Sequence, residues 1–156
     1  MITPYYVRQA HLSWLPSTAG STQPSNGILA APGVCVVRGQ IDGNLIPGKM
    51  PLRIGAGFIP HNGVEYGLHA FEVLCNTNIF QNQSLYNWIS ESHGRVPAGA
   101  FLAGATIDDL PLYVARASIN NEMCAGKVNY EYKCALIPWG EVEHKIENYE
   151  VLCLIE

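Results

Sequence analysis

Charged side chains are scarce: Asp, Glu, Lys and Arg make up 14% of the 156 residues, against about 25% in an average soluble protein. That scarcity excludes a disordered acidic or basic tail protein. A basic excess is missing as well. Nine basic residues against thirteen acidic ones leave a net charge of −4, the wrong sign for a surface that tracks phosphates, so nucleic acid is not an expected partner. No apolar run approaches the ~20 residues that cross a bilayer, and no membrane insertion is expected. The segment Met1-Ile2-Thr3-Pro4-Tyr5-Tyr6 has no basic start, and Arg8 and His11 interrupt any apolar stretch behind it, unlike a secretory signal. The expected location is cytoplasmic, with release from cells without a signal peptide as the other route; the sequon Asn82-Gln83-Ser84 is then a chance match.

Order among the cysteines is also lacking. Cys35, Cys75, Cys124, Cys134 and Cys153 are odd in number and irregularly spaced, which fits free thiols better than a disulfide framework. With no CxxC pair, no metal site is expected, and nothing implies a cofactor. Long helices have little room, because 15 glycines and 10 prolines interrupt the chain from Pro4 to Pro138. A turn-rich β protein remains.

What the sequence does contain is a repeat. At an offset of 78, residues 34–75 align with 112–153 without a gap, and thirteen positions are identical, among them Arg38/Arg116, Gly48/Gly126, Lys49/Lys127, Glu65/Glu143 and Cys75/Cys153. Upstream, Trp14 matches Trp88 and Gly20 matches Gly94. A repeat of this length is a supersecondary unit seen twice. We therefore divide the chain at residues 1–77 and 78–156, each too small to bury a sheet face alone. The expected fold class is all-β, two tandem repeats with pseudo-twofold symmetry sharing one core. The second half is the more acidic, with ten of the thirteen acidic residues.

Alternation of apolar and polar residues from Val128 to Leu136, and from Leu52 to Phe58 in the first copy, predicts half-buried strands. Val34–Arg38 and Leu112–Ala117 are short β-branched or aromatic runs. Phe71–Cys75 and Tyr149–Ile155 are denser, as expected of strands covered on both faces. Asn26-Gly27, Asp42-Gly43 and Asn62-Gly63 predict turns, and the spacing predicts about ten strands. Trp14 and Trp88 are expected in the core, Trp139 and Ile146 at the surface.

Gly43 to Lys49 has the spacing of a phosphate-binding loop, but Met50 stands where a magnesium-holding hydroxyl is needed and Pro47 removes a backbone donor. Lys49 and Lys127 are the recurring cations; a Gly before each lets the chain turn sharply into the following strand. Their simplest role is to pair with Glu65 and Glu143 or to solvate a strand entrance. Glu143-His144 has the residue types of an acid–base pair, yet Tyr66 replaces the His in the first copy, so Glu143 is expected to bind the backbone of a turn. With no acid, base and nucleophile assembled in either copy, no catalytic residue is expected.

The runs Gly94-Arg95-Val96-Pro97-Ala98-Gly99-Ala100, Ala103-Gly104, Leu112 to Ala117, Gly126-Lys127-Val128, Glu143-His144 and Tyr149 to Leu152, with Trp88 before them, resemble a DM-nine repeat. The first unit resembles it less closely from Trp14 to Leu74. Small proteins of two such repeats include mannose-binding lectins, pattern-recognition receptors of innate immunity that form homodimers and have no catalytic activity. The resemblance implies that a lysine and an aspartate hold sugar hydroxyls. The lysine carries over onto Lys127 and, by repeat, Lys49. At the aspartate's place, two residues past Ala103-Gly104, stands Thr106; Asp108 or Asp109 in the same loop, or Glu122 near Lys127, would have to supply the carboxylate, and beside Lys49 only Asp42 is available. The candidate carbohydrate-binding residues are thus Lys127, Lys49, Asp108, Thr106, Glu122 and Glu143, and the expected partner is mannose or a mannose-containing glycan. The alternative is a protein-interaction scaffold whose sugar pocket has decayed.

Overall fold

The computed structural model describes residues 11–78 and 85–155; the sequon and the segment from Met1 to Tyr6 lie outside the described residues. The fold is all-β. Fourteen strands are described rather than ten: β1 Leu12–Thr18, β2 Leu29–Ala31, β3 Val34–Ile41, β4 Asn44–Pro51, β5 Gly57–His61, β6 Val64–Leu68, β7 Ala70–Asn76, β8 Tyr86–Ser92, β9 Leu102–Ala105, β10 Pro111–Ile119, β11 Glu122–Asn129, β12 Cys134–Trp139, β13 Val142–Ile146 and β14 Asn148–Leu154. They form one antiparallel sheet ordered β1-β7-β3-β4-β5-β6-β13-β12-β11-β10-β14-β8, with β2 beside β3 and β9 bridging β10 and β4.

The turn dipeptides do what their chemistry suggests. Asp42-Gly43 and Asn62-Gly63 join β3 to β4 and β5 to β6 with positive φ at both residues (51° and 81°, 49° and 83°), the backbone that matches strand twist in a two-residue hairpin. Two of the expected strands are shorter than their alternation implies. After Pro51 the chain turns through residues 52–55 before β5 begins, and Leu52 and Ile54 are 45% and 47% exposed. In the second half the chain leaves β11 at Asn129, passes a 3-10 turn at Tyr130–Tyr132 and enters β12 through Lys133 at φ 60°. Asn129 imposes that turn: its side-chain oxygen accepts the Glu131 N–H at 2.7 Å and its amide donates to the Pro111 carbonyl at 2.6 Å. An alternating pattern cannot reveal such a cap, because apolar residues on a turn tip preserve period two.

The two halves interlock. One core cluster combines Leu12, Val36 and Leu74 with Phe101, Val114 and Leu152. Trp14 and Trp88 pack against it half-buried, each under an arginine: Arg38 lies 4.2 Å from the Trp14 ring centre and Arg116 4.5 Å from that of Trp88. Arg38 donates to Glu72 at 2.8 Å and to the Ala103 carbonyl at 3.0 Å; Arg116 donates to Glu150 at 2.7 Å and to the Ala30 carbonyl at 2.9 Å. Each arginine thus satisfies a carbonyl in the opposite half. All five cysteines are unpaired thiols.

Candidate functional site

Gly48 and Gly126 sit inside β4 and β11 and not at turns. A Cβ there would collide with the carbonyl oxygen of Phe58 on β5 or Leu136 on β12, so close approach of backbone, not a sharp bend, requires glycine. The same approach buries the next residue. Lys49 and Lys127 are 7% and 5% exposed, opposite Phe58 and Leu136 in the ladders.

A buried ammonium needs a carboxylate. Lys49 Nζ lies 3.0 Å from Glu65 Oε2 on β6, and Lys127 Nζ 3.2 Å from Glu143 Oε2 on β13. Each carboxylate is anchored from the opposite half: Glu65 Oε1 accepts the Glu141 N–H at 2.9 Å, and Glu143 Oε1 accepts the Gly63 N–H at 3.1 Å. Glu143 therefore binds a turn's backbone as expected, though a turn from the other half. Glu143 Oε2 is buried, and the Lys127 ammonium 3.2 Å away is its partner. Burial pushes the Lys127 ammonium below its ordinary pKa, and Glu143 partly restores it.

Two clefts open over these pairs. The first, of about 450 Å³, brings together Lys127, Glu143, Thr106 and Asp108, with Asn44 and His61 from the first half. Its loop is fixed in place: Thr106 Oγ1 accepts the Leu110 N–H at 3.1 Å, and Asn44 Oδ1 accepts the Ile107 N–H at 2.9 Å. The second, of about 490 Å³, contains Lys49, Glu65, Arg53 and Cys124, with Glu122 and Trp139. Lys49 Nζ stands 4.0 Å from Cys124 Sγ, whose thiol is held up by burial.

Two expected neighbours change places. Glu122 belongs to the Lys49 cleft and not to the one at Lys127: five residues along β11 is roughly 17 Å and reverses the face. Asp42 approaches His61, 3.5 Å away, and His61 lines the Lys127 cleft, so Asp42 does not serve Lys49. Trp139 and Ile146 are half-buried. Trp139 donates from Nε1 to Glu122 Oε2 at 3.3 Å and stands edge-on to His144, while Ile146 packs against a core cluster. His144 Nε2 bonds the Trp139 carbonyl at 2.9 Å; as successive residues of β13, Glu143 and His144 point to opposite faces, so no acid–base pair forms between them. The residues Gly43 to Lys49 are a hairpin turn and strand β4, with no helix N-terminus to cradle phosphate. His61, Asn44, Arg53 and Trp139 escaped the sequence reading as cleft walls; their signal was that 61 and 139, and 44 and 122, are equivalent positions of the repeat.

Among the described residues no group of three or more His, Cys, Asp or Glu is arranged to hold a metal ion, and no helix is long and apolar enough to cross a membrane. A crystal structure of the nematode sperm cell motility protein MFP2B matches the fold with a TM-score of 0.68 at 17% identity, over 93% of this chain. The chain spans 45% of that protein, and at this identity the likeness is one of fold. No curated protein sequence matches the chain. The family model of the DM9 repeat matches residues 29–146, which include both lysine and glutamate pairs and most of both cleft linings, and the protein belongs to the DM9 repeat family.

Proposed function

We propose that the protein is a non-catalytic carbohydrate-binding lectin whose principal site is the Lys127 cleft, with mannose-type sugars as ligands. The observation that carries this reading is the cleft itself, which gathers the Lys127–Glu143 pair, Thr106 and Asp108 around one space of about 450 Å³. A donor ammonium and an acceptor carboxylate side by side suit a vicinal diol, because charge-assisted hydrogen bonds are the strong ones. Asp108 at the rim supplies a second carboxylate where Thr106 has replaced the expected one. Single-site affinity is modest in so open a cleft, and pairing of two chains in a homodimer would raise avidity on a glycan-covered surface, including that of a pathogen.

Titration of mannose and a glycan panel into the purified protein tests the proposal. Lys127→Ala should weaken mannose binding at least tenfold. Because that substitution also strands a buried carboxylate, the exposed Asp108→Asn is the folded control, and it should weaken binding severalfold with an unchanged melting temperature. Unaltered affinity in both variants, or no response to any glycan, overturns the reading.

A protein-interaction scaffold is the second reading. Val64 and Val142, both exposed, are ladder partners where β6 meets β13, a small apolar feature that sugar binding does not use. Excess free mannose separates the two readings in a pull-down: it should release a lectin's glycoprotein partners and leave a scaffold's in place.

A further inference from the structure

The floors of the two clefts are alike, a buried lysine on a buried glutamate, but their walls carry different charge. Position 53 is Arg in the Lys49 cleft, and its equivalent 78 residues on, lining the Lys127 cleft, is Glu131. Counting the linings, Lys49 and Arg53 offset Glu65 and Glu122, whereas Lys127 faces Glu143, Glu131 and Asp108. The Lys49 cleft is balanced; the Lys127 cleft carries two net negative charges with His61 neutral. Two further differences point the same way. Glu122, the exposed acid of the Lys49 cleft, accepts from the Trp139 indole N–H at 3.3 Å, which partly offsets its repulsion of an incoming anion. Among the described residues Arg53 forms no ion pair or hydrogen bond, and its side chain is exposed, so its planar donors are available to a carboxylate.

We propose that the two clefts sort sugars by charge: the Lys49 cleft accepts an acidic sugar, a hexuronate whose carboxylate pairs with Arg53, and the Lys127 cleft takes neutral sugars and repels the acid. This rests on the lectin reading above and names the ligand class of its second site. Position equivalence makes the comparison direct, since the two clefts share a floor and differ at the walls. A hexuronate entering the Lys127 cleft would bring its carboxylate toward Asp108 and Glu131, and like charges in a cleft disfavour binding. Entering the Lys49 cleft it meets a guanidinium whose fork matches a carboxylate in two hydrogen bonds.

Mannose and mannuronate differ at one carbon, and parallel NMR titrations with the two test the proposal on the full chain. The Trp139 indole N–H signal reports the Lys49 cleft, and the His61 ring signals report the Lys127 cleft. The expected result is that mannuronate shifts the Trp139 signal and leaves His61 unmoved, whereas mannose shifts the His61 signals. Arg53→Glu should weaken mannuronate about fivefold, the scale of an exposed ion pair, while the response of the His61 signals to mannose, read in the other cleft, keeps its midpoint. Glu131→Arg should admit mannuronate to the Lys127 cleft. Raising the salt concentration should weaken mannuronate binding and spare mannose, because only the acid gains from screened charges. If mannose binds but mannuronate shows no preference for the Lys49 cleft, or Arg53→Glu leaves it unaltered, charge sorting is overturned and the lectin reading stands. If neither sugar moves either signal, both are overturned.

Discussion

At the residue scale the cost of a buried charge governs most of what can be tested. Lys127 is 5% exposed, with Glu143 as its counter-ion. Lys127→Met should lower stability by about 3 kcal/mol, because breaking one partner of a buried pair leaves the other uncompensated. Lys127→Met combined with Glu143→Gln should recover much of that loss, and urea unfolding of the three proteins measures it. Gly126→Ala forces a methyl against the Leu136 carbonyl oxygen and should cost about 2 kcal/mol as an overpacked contact, read by the same method. The thiols set the alkaline limit. Burial raises Cys75 and Cys153 from an ordinary 9.0 to about 11, with Cys35 adding to the shift at Cys75 and Glu91 at Cys153. A raised acid pKa means that the folded state keeps its protons while the unfolded chain releases them. Their stabilisation is therefore complete below pH 9 and lost as pH rises from 9 to 11. Lys127, whose pKa is lowered, has the opposite sign and gains stability as it deprotonates. A pH series of urea midpoints should fall across that window, and Cys75→Ala with Cys153→Ala should flatten the fall; an unchanged slope would refute the assignment.

Among the elements, prolines inside strands need explaining, since a central strand cannot spare a donor. Pro60 on β5 and Pro138 on β12 face Glu65 and Glu143 in the hairpin ladders. On the other side, β5 meets β4 only at Phe58 opposite Lys49, and β12 meets β11 from Cys134 to Leu136. Both prolines lie past the ends of those ladders, where no partner awaits their missing N–H. The short strand β9 has a larger role than its four residues suggest. It pairs with β10 of its own half and, through Ala105, with Leu45 on β4, while the Ala103 carbonyl accepts from Arg38. Arg38→Met should cost about 2 kcal/mol, in the range of hydrogen bonds to a charged group. The equivalent Arg116→Met, which frees the Ala30 carbonyl and Glu150, should cost the same. Differential calorimetry checks the pair, and an unchanged melting temperature in either would show that the carbonyl is satisfied by water.

Over the whole molecule, crossed contacts bind the two halves: arginines reach opposite carbonyls, glutamates accept opposite turn N–H groups, and one cluster of core residues draws on both. We predict that residues 78–156 alone do not fold, because about 80 residues bury too little surface when half their partners are missing; circular dichroism of that fragment should show no cooperative melting. Much of this was legible beforehand. Alternation, turn dipeptides and the scarcity of charge point to an all-β chain, and the offset of 78 identifies Lys49/Lys127 and Glu65/Glu143 as equivalent positions. Strand ends were less legible, since the Asn129 cap and the turn after Pro51 keep period two while leaving the sheet. The clefts were legible only in part: Lys127, Glu143, Thr106 and Asp108 do share one. Glu122 joins Lys49 and not Lys127, and His61 and Trp139 cross to the opposite half's lysine, because these distances are set by strands packed side by side and not by separation along the chain. Local chemistry and the repeat are written in one dimension, so sequence alone settled the strands' nature and which positions recur, while the burial of the two lysines was decided by the structure. Which side chains share a cleft depends on long-range packing, and only the tertiary structure could decide it.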